Sequence, residues 1–175
     1  MKKLGIGALV GGIILFLWQF LSWSVLNIHS SMQAYTPKQD EVLKALNENL
    51  EEGFYYMPNT PPGQEHENPM EAYVGKPWAQ VYYHKAYNAS MGANMGRGLF
   101  VDIIAVLLLA WLLLKMNNTN FQSILLSSLA VGMIGYLTTV YTNSIWFQTH
   151  TMGDLIDSIV SWGLVGAWLG WWLKR

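Results

Sequence analysis

The fold is decided by residues 98–115, which read GLFVDIIAVLLLAWLLLK and hold one ionisable side chain, Asp102, before the terminal lysine. A transmembrane helix needs about 17–25 mostly apolar residues, because it rises about 1.5 Å per residue across a hydrocarbon core of about 30 Å. An aspartate inside such a run is by default a functional candidate, because an ionised side chain is costly within a bilayer. The stretch therefore predicts a membrane span that carries a candidate site.

Three further apolar runs lie on either side of this one. The chain of 175 residues is 52% hydrophobic and has nine tryptophans, and its apolar residues are concentrated in these runs. Cysteine is absent, which excludes disulfides, thiolate metal sites and cysteine nucleophiles. We expect an all-α membrane protein with four transmembrane helices: one in an N-terminal anchor at 1–28, then a three-helix region at 98–175 with spans 98–114, 121–141 and 155–173.

Charge asymmetry predicts the orientation of these spans. The expected inner segments carry basic residues and no acid, whereas the expected outer loop at 142–152 has neither lysine nor arginine. Cytoplasmic loops are enriched in lysine and arginine, so we expect both termini on the cytoplasmic side. The pattern is typical of a multi-pass protein of a bacterial inner (plasma) membrane. The basic residues concerned are Lys2, Lys3, Lys115, Lys174 and Arg175.

Residues 29–97 form the expected extracytoplasmic (periplasmic) domain. Apolar residues recur at helical spacing within 36–52, and aromatic runs at 54–57 and 81–83 are compatible with short strands. These patterns predict a small α+β domain between the first two spans. A unit this small without disulfides is expected to need support from the membrane helices or from another protein.

Counting the helical rise from each inner charged end places several polar residues at one depth. Asp102 lies about 20 Å from Lys115, Gln19 about 24 Å from Lys3, and Asp157 about 25 Å from Lys174. Thr138 and Thr139 of the third span fall near the same level, and Arg97 lies about 7–8 Å above Asp102. We expect these residues to form a polar layer in the outer half of the bilayer.

Structural roles compete with a functional one for these residues. Asp154 and Asp157 are predicted in the first turn of the last span, where carboxylates cap free N–H groups and oppose the helix dipole. Arg97 and Asp102 are equally compatible with an ion pair that only locks helices together. Another hypothesis adds His150 to the three aspartates as the ligands of a divalent metal ion, whose identity is unknown. A separate hypothesis is a copper site formed by Met70, Met91, Met95, His66 and His84.

No motif of a known reaction occurs in the sequence, so we expect a protein that is not an enzyme and that carries no cofactor. Small residues at helical spacing instead predict close helix packing. These are Gly7, Gly11, Ser128, Gly132, Gly163, Gly166 and Gly170.

The outer segment and the helix faces with small residues are both suited to protein contacts, which favours an accessory or scaffolding component that binds partners. Besides the lipid bilayer, the expected partners are other membrane proteins or further copies of the chain; nothing in the sequence indicates nucleic acid. The alternative is a small transporter or an ion- or proton-responsive protein that uses Asp102, Asp157 and Gln19 as an acidic site.

Overall fold

The computed structural model describes residues 2–61, 63, 73–88, 90–117 and 120–175. They divide into two compact units, one of Met1–Ala34 with Ser90–Arg175 and one of Tyr35–Ala89. In chain order the helices are α1 (Lys2–Ser24), α2 (Gln39–Asn49), α3 (Met91–Lys115), α4 (Phe121–Gly135), α5 (Thr142–Phe147) and α6 (Met152–Trp172), and the strands are β1 (Gly53–Met57) and β2 (Ala79–Tyr83). A short 3-10 turn, Ser30–Met32, follows α1.

The ends of the long helices differ from the predicted spans in ways that matter for the site. Helix α1 ends at Ser24 rather than at residue 28, and Asn27 then adopts a left-handed conformation with φ of 50°. Asparagine tolerates this conformation better than most residues. Helix α3 begins at Met91, seven residues before the predicted start at Gly98, so Asp102 lies about three turns inside it.

The third long helix is extended by a π-helical segment. Helix α4 begins with a capping box in which Asn120 and Ser123 each accept a 2.8 Å hydrogen bond from the other's backbone N–H. It continues through π-helical Tyr136–Tyr141 into α5, which gives one 27-residue helix, Phe121–Phe147. Within it the Thr142 hydroxyl donates to the carbonyl five residues earlier at 2.8 Å. The helix therefore exceeds the predicted span 121–141 by six residues.

The helices of the first unit pack in the order α3, α1, α6, α4. Helix α1 packs extensively on both α3 and α6, and α6 packs along α4, whereas α3 and α4 contact each other only slightly. One apolar cluster joins all four helices and is almost completely buried: Leu15, Val106, Leu109, Ala110, Leu113, Ile124, Val165 and Leu169. Helix α1 is therefore the central element that holds α3 and α6 together.

Small residues lie where the helices approach most closely. A Cβ atom on Gly12 would lie 2.7 Å from the backbone Cα of Ile103 in α3, and one on Gly166 would lie 2.8 Å from the Ser128 side chain in α4. Four predicted packing glycines are placed at similar contacts: Gly7 at Trp172, Gly11 at Val106, Gly132 at Trp162 and Gly170 at Phe121. A Cβ on Gly163 would make only an ordinary van der Waals contact with Leu129, at 3.6 Å. Gly12 was not predicted, although it adjoins Gly11.

Three helices are long and apolar enough to cross a membrane: α1, α3 and the continuous helix Phe121–Phe147. Helix α6 is long enough, but its mean hydropathy is too low for it to be counted with these three. Its 21 residues include two aspartates, four tryptophans and several glycines and serines, which lower the mean hydropathy. The structure thus gives a mostly helical protein with three apolar helices of membrane-spanning length. The fourth span and the orientation stay predictions.

The second unit contains α2 and an antiparallel sheet of two strands, β1 and β2. Phe54 pairs with Tyr82, and their ring centroids lie 4.5 Å apart. The Tyr83 hydroxyl donates to Asn47 Oδ1 at 2.7 Å and so ties α2 to the sheet. Both the helix and the strands were predicted, but α2 is shorter than the expected 36–52, and none of its residues is buried.

The contact between Gly12 and the α3 backbone predicts a specific effect on stability. We expect Gly12→Ala to lower the free energy of unfolding by about 1–3 kcal/mol, because a backbone atom cannot swing away from the added methyl group as a side chain can. Gly5→Ala in the same helix is the matched control, since no atom lies within 4 Å of its added Cβ. Heating the detergent-solubilised protein while following tryptophan fluorescence measures both. Equal melting temperatures for the two variants would contradict the close packing.

Candidate functional site

Asp157 is the centre of a hydrogen-bond network between α1 and α6. Its Oδ1 accepts from the indole N–H of Trp18 at 3.0 Å and from the hydroxyl of Ser22 at 2.6 Å. Its Oδ2 lies 2.9 Å from Nε2 of His29. Trp18 and Ser22 are four residues apart, so they lie on the same face of α1 and reach the same carboxylate. Both oxygens of Asp157 are thereby partnered.

His29 follows α1 and is 3% exposed. Its ring stacks on Trp23, with centroids 3.9 Å apart and planes within 5°, and its Nδ1 lies 3.1 Å from the Met32 sulfur. Gly153 at the start of α6 leaves room for the ring, because a Cβ there would lie 2.8 Å from Nδ1. One ring nitrogen thus faces the Asp157 carboxylate and the other faces the Met32 thioether, and the contact with Asp157 is an ion pair only when the ring is protonated.

Asp102 has a separate partner on another face of α1. The carboxyl group is buried in α3, and its Oδ1 accepts from Nε2 of Gln19 at 3.1 Å. Its Oδ2 is buried and has no hydrogen-bond partner among the described residues. Helix α1 therefore serves both acidic helices, with Gln19 turned to α3 and Trp18 turned to α6.

Arg97 does not neutralise Asp102, and the interpretation of these two residues as an ion pair is wrong. Ion pairs join Lys44 to Glu48 and Lys85 to Glu51, and also His29 to Asp157 when the ring is protonated, whereas Arg97 and Asp102 form none with each other. Arg97 is exposed. Five residues along an α-helix correspond to a rotation of about 140°, so Arg97 and Asp102 point to different sides of α3.

Asp154 and Asp157 also differ from each other. Asp154 lies in the first turn of α6, where a carboxylate opposes the helix dipole, but Asp157 lies in the second turn and accepts from α1 and His29. The capping interpretation thus fits Asp154 and is wrong for Asp157. The Oδ2 of Asp154 and the hydroxyl of Ser158 are buried without a hydrogen-bond partner in the described part of the chain.

The remaining predicted members of the layer lie elsewhere. Thr138 and Thr139 are exposed and donate to carbonyls of their own helix at 2.7 and 2.6 Å. His150 is exposed as well. Within the described ranges no group of three or more His, Asp or Glu side chains is placed to hold a metal ion. Of the copper candidates, His66 and Met70 lie outside the described residues, and His84, Met91 and Met95 are exposed.

The sequence interpretation missed Trp18, Ser22 and His29. A usable signal existed, because a carboxylate deep in an apolar helix requires donors, and Trp18 and Ser22 are donors at i and i+4 on one face of α1. His29 follows the predicted anchor at 1–28, where the apolar pattern assigns it no role. Its role depends on the reversal of the chain at Asn27, which helical periodicity does not reveal.

No protein-family model, no curated protein and no solved structure gives a significant match to this chain. Its function is therefore inferred from its own residues.

The network around Asp157 predicts unequal effects of two neighbouring substitutions. Asp157→Ala removes the acceptor of three donors, and we expect it to lower the free energy of unfolding by about 2–4 kcal/mol. Asp154→Ala, the matched control on the same helix, removes a favourable dipole interaction of about 0.3–1 kcal/mol together with a buried oxygen that has no partner among the described residues, so we expect a smaller loss. Thermal unfolding in detergent compares the two. A smaller loss for Asp157→Ala than for Asp154→Ala would contradict the assigned network.

Proposed function

We propose that this chain is a non-enzymatic, partner-binding accessory protein of a membrane, with four spans and both termini on the cytoplasmic side. The contacts of α6 support the fourth span. Trp172 donates to the carbonyl of Lys3 at 2.8 Å, and Trp168 donates to that of Gly7 at 3.0 Å. Together with the bonds to Asp157, these contacts run antiparallel along the whole of α1, which is itself a candidate span. Because α6 follows α1 over its full length, we propose that α6 crosses the membrane wherever α1 does.

The observation that carries the partner-binding proposal is an open groove in the second unit. It has a volume of about 860 Å³ and lies between α2 and the region of β2. Leu43 and Leu46 line it from the helix, and Val81, Tyr82 and Tyr87 line it from the strand and the residues that follow. Leu43 is 56% exposed, Tyr82 73% and Tyr87 95%. The unit therefore leaves its own apolar and aromatic surface uncovered.

The charge of this unit indicates the kind of partner. Residues 35–89 contain eight acidic and four basic side chains. Two of the lysines are engaged within the unit, Lys44 by Glu48 and Lys85 by Glu51. The bond to Glu51 raises the pKa of the Lys85 ammonium group, which keeps it charged. An acidic unit with an open apolar groove suits a basic polypeptide segment, which we propose belongs to another membrane or extracytoplasmic protein.

The absence of cysteine allows a direct test. Leu43→Cys and Tyr82→Cys place a photoreactive maleimide in the groove, and Val74→Cys places it on an 81% exposed residue outside the groove's lining. After illumination of native membranes, we expect the same single adduct from both groove positions and none from Val74→Cys. The adduct should weaken at high salt, because screening reduces attraction to an acidic surface. An adduct at all three positions, or at none, would overturn the proposal.

The same labelling chemistry tests the topology. An impermeant maleimide applied to intact cells should modify Leu43→Cys and Gln148→Cys but not Asn117→Cys or Arg175→Cys. Labelling of Arg175→Cys together with Gln148→Cys would show that α6 does not cross the membrane.

One observation favours a second candidate function, an ion- or proton-responsive protein. Asp102 is buried three turns inside α3 with one oxygen bonded to Gln19 and the other without a partner among the described residues. A carboxyl group held in this way in an apolar layer can exchange a proton or a cation.

For that candidate we expect Asp102→Asn to abolish a pH- or cation-dependent flux in proteoliposomes while the melting temperature stays within a few degrees. The amide keeps the shape of the carboxyl group but cannot release a proton. Asp154→Asn, on α6, is the control. The candidate fails if the unaltered protein gives no flux above empty vesicles, or if Asp102→Asn leaves the flux unchanged.

A further inference from the structure

The contacts of α1 with α6 bring basic residues together at one end of the helical unit. The Lys3 ammonium group donates to the carbonyl of Leu173 at 3.5 Å, and the Trp172 indole donates to the Lys3 carbonyl at 2.8 Å. The start of α1 and the end of α6 are thereby fixed beside each other. Lys2 and Lys174 adjoin these positions in sequence. We call this group the basic end: Lys2, Lys3, Lys174 and Arg175, with Lys115 at the end of α3.

Aromatic rings lie beneath two of these cations. The Arg175 guanidinium lies over the ring of Trp171 at 4.1 Å from the centroid, and the Lys115 ammonium lies over that of Trp111 at 6.0 Å. Trp171 is 46% exposed and Trp111 49% exposed. A cation above a ring keeps its outer side available to an anion, whereas a carboxylate partner would neutralise it. The two tryptophans are themselves of the type that lies at the level of lipid headgroups.

The acidic residues of the helical unit lie far from the basic end along their own helices. Outside residues 35–89 the chain has three acids, Asp102, Asp154 and Asp157, and each is more than ten residues from the basic end along its own helix. Five positive charges therefore share one end of a largely apolar helical unit. Such a cluster attracts phosphate groups, and each lysine or arginine near an anionic membrane surface strengthens binding about fivefold.

We propose that the basic end binds the headgroup of an anionic phospholipid. Lys3 and Arg175 neutralise the phosphate, and the exposed faces of Trp111 and Trp171 contact the glycerol and the first part of the acyl chains. The apolar helix surfaces that adjoin the cluster select a lipid over free inorganic phosphate, because only a lipid offers an acyl chain to cover them. The proposal does not depend on the groove between α2 and β2.

The test uses the full chain in lipid nanodiscs of phosphatidylcholine alone or of phosphatidylcholine with phosphatidylglycerol. We expect phosphatidylglycerol to raise the melting temperature and to remain bound in native mass spectrometry, and high salt to reduce both effects. Lys3→Gln with Arg175→Gln should weaken phosphatidylglycerol binding roughly 10- to 30-fold. The control Lys44→Gln with Lys76→Gln removes the same charge from the second unit and should leave binding unchanged.

Lys3 also takes part in a helix contact, so a second pair, Lys115→Gln with Arg175→Gln, reduces the charge without altering the bonds between α1 and α6. Weaker phosphatidylglycerol binding by this pair at an unchanged melting temperature in phosphatidylcholine supports the site. Equal binding by the basic-end and control pairs would overturn it. Equal protection by phosphatidylcholine, or by inorganic phosphate in phosphatidylcholine discs, would overturn it as well.

Discussion

Two carboxylates on different helices, one buried and one partly buried, both obtain hydrogen-bond donors from α1, and the rest of the helical unit depends on this. Gln19 donates to Asp102 of α3, while Trp18 and Ser22 donate to Asp157 of α6. An unpaired carboxylate in an apolar layer costs several kcal/mol, so α3 and α6 must both lie against α1. Apolar packing alone would permit several orders of similar helices, because side chains and lipid tails are alike. The polar contacts select the observed order.

The sequence predicted that the helices exist, but it did not predict most of the hydrogen bonds between their polar side chains. Long apolar runs reveal helices because every backbone group must be bonded internally in lipid, and Asn120 with Ser123 gives the start of α4 locally. The depth count correctly set Gln19 near Asp102, because it needed only helical rise. It did not distinguish the two faces of α1. The contact of α1 with Asp102 and its contact with Asp157 were therefore predicted as one polar layer. Rotation about each helix axis is set by packing against neighbours, which one sequence does not contain.

The errors in the site follow from the same limit. Arg97 was paired with Asp102 by distance along the helix, although the rotation of about 140° between them turns Arg97 outward. His29 lies just after the predicted anchor at 1–28, yet the left-handed residue Asn27 turns the chain back and places the imidazole against Gly153. A local backbone reversal of this kind joins residues 128 positions apart. Neither hydropathy nor charge pattern carries that information.

The contact between α1 and α6 also explains why the two ends of the helical unit have different chemistry. At the end with His29, donors and acceptors are matched within the chain: Asp157 has three partners, and the His29 ring is covered by Trp23 and Gly153. At the end with Lys3, backbone carbonyls accept from Trp168, Trp172 and Lys3 itself, and the acids of the helical unit lie more than ten residues away along their own helices. An anionic lipid headgroup is the counter-charge that we propose for that end. A helix pair that satisfies its partly buried acid internally and leaves its cations exposed has one end suited to rigidity and the other suited to binding an anionic surface.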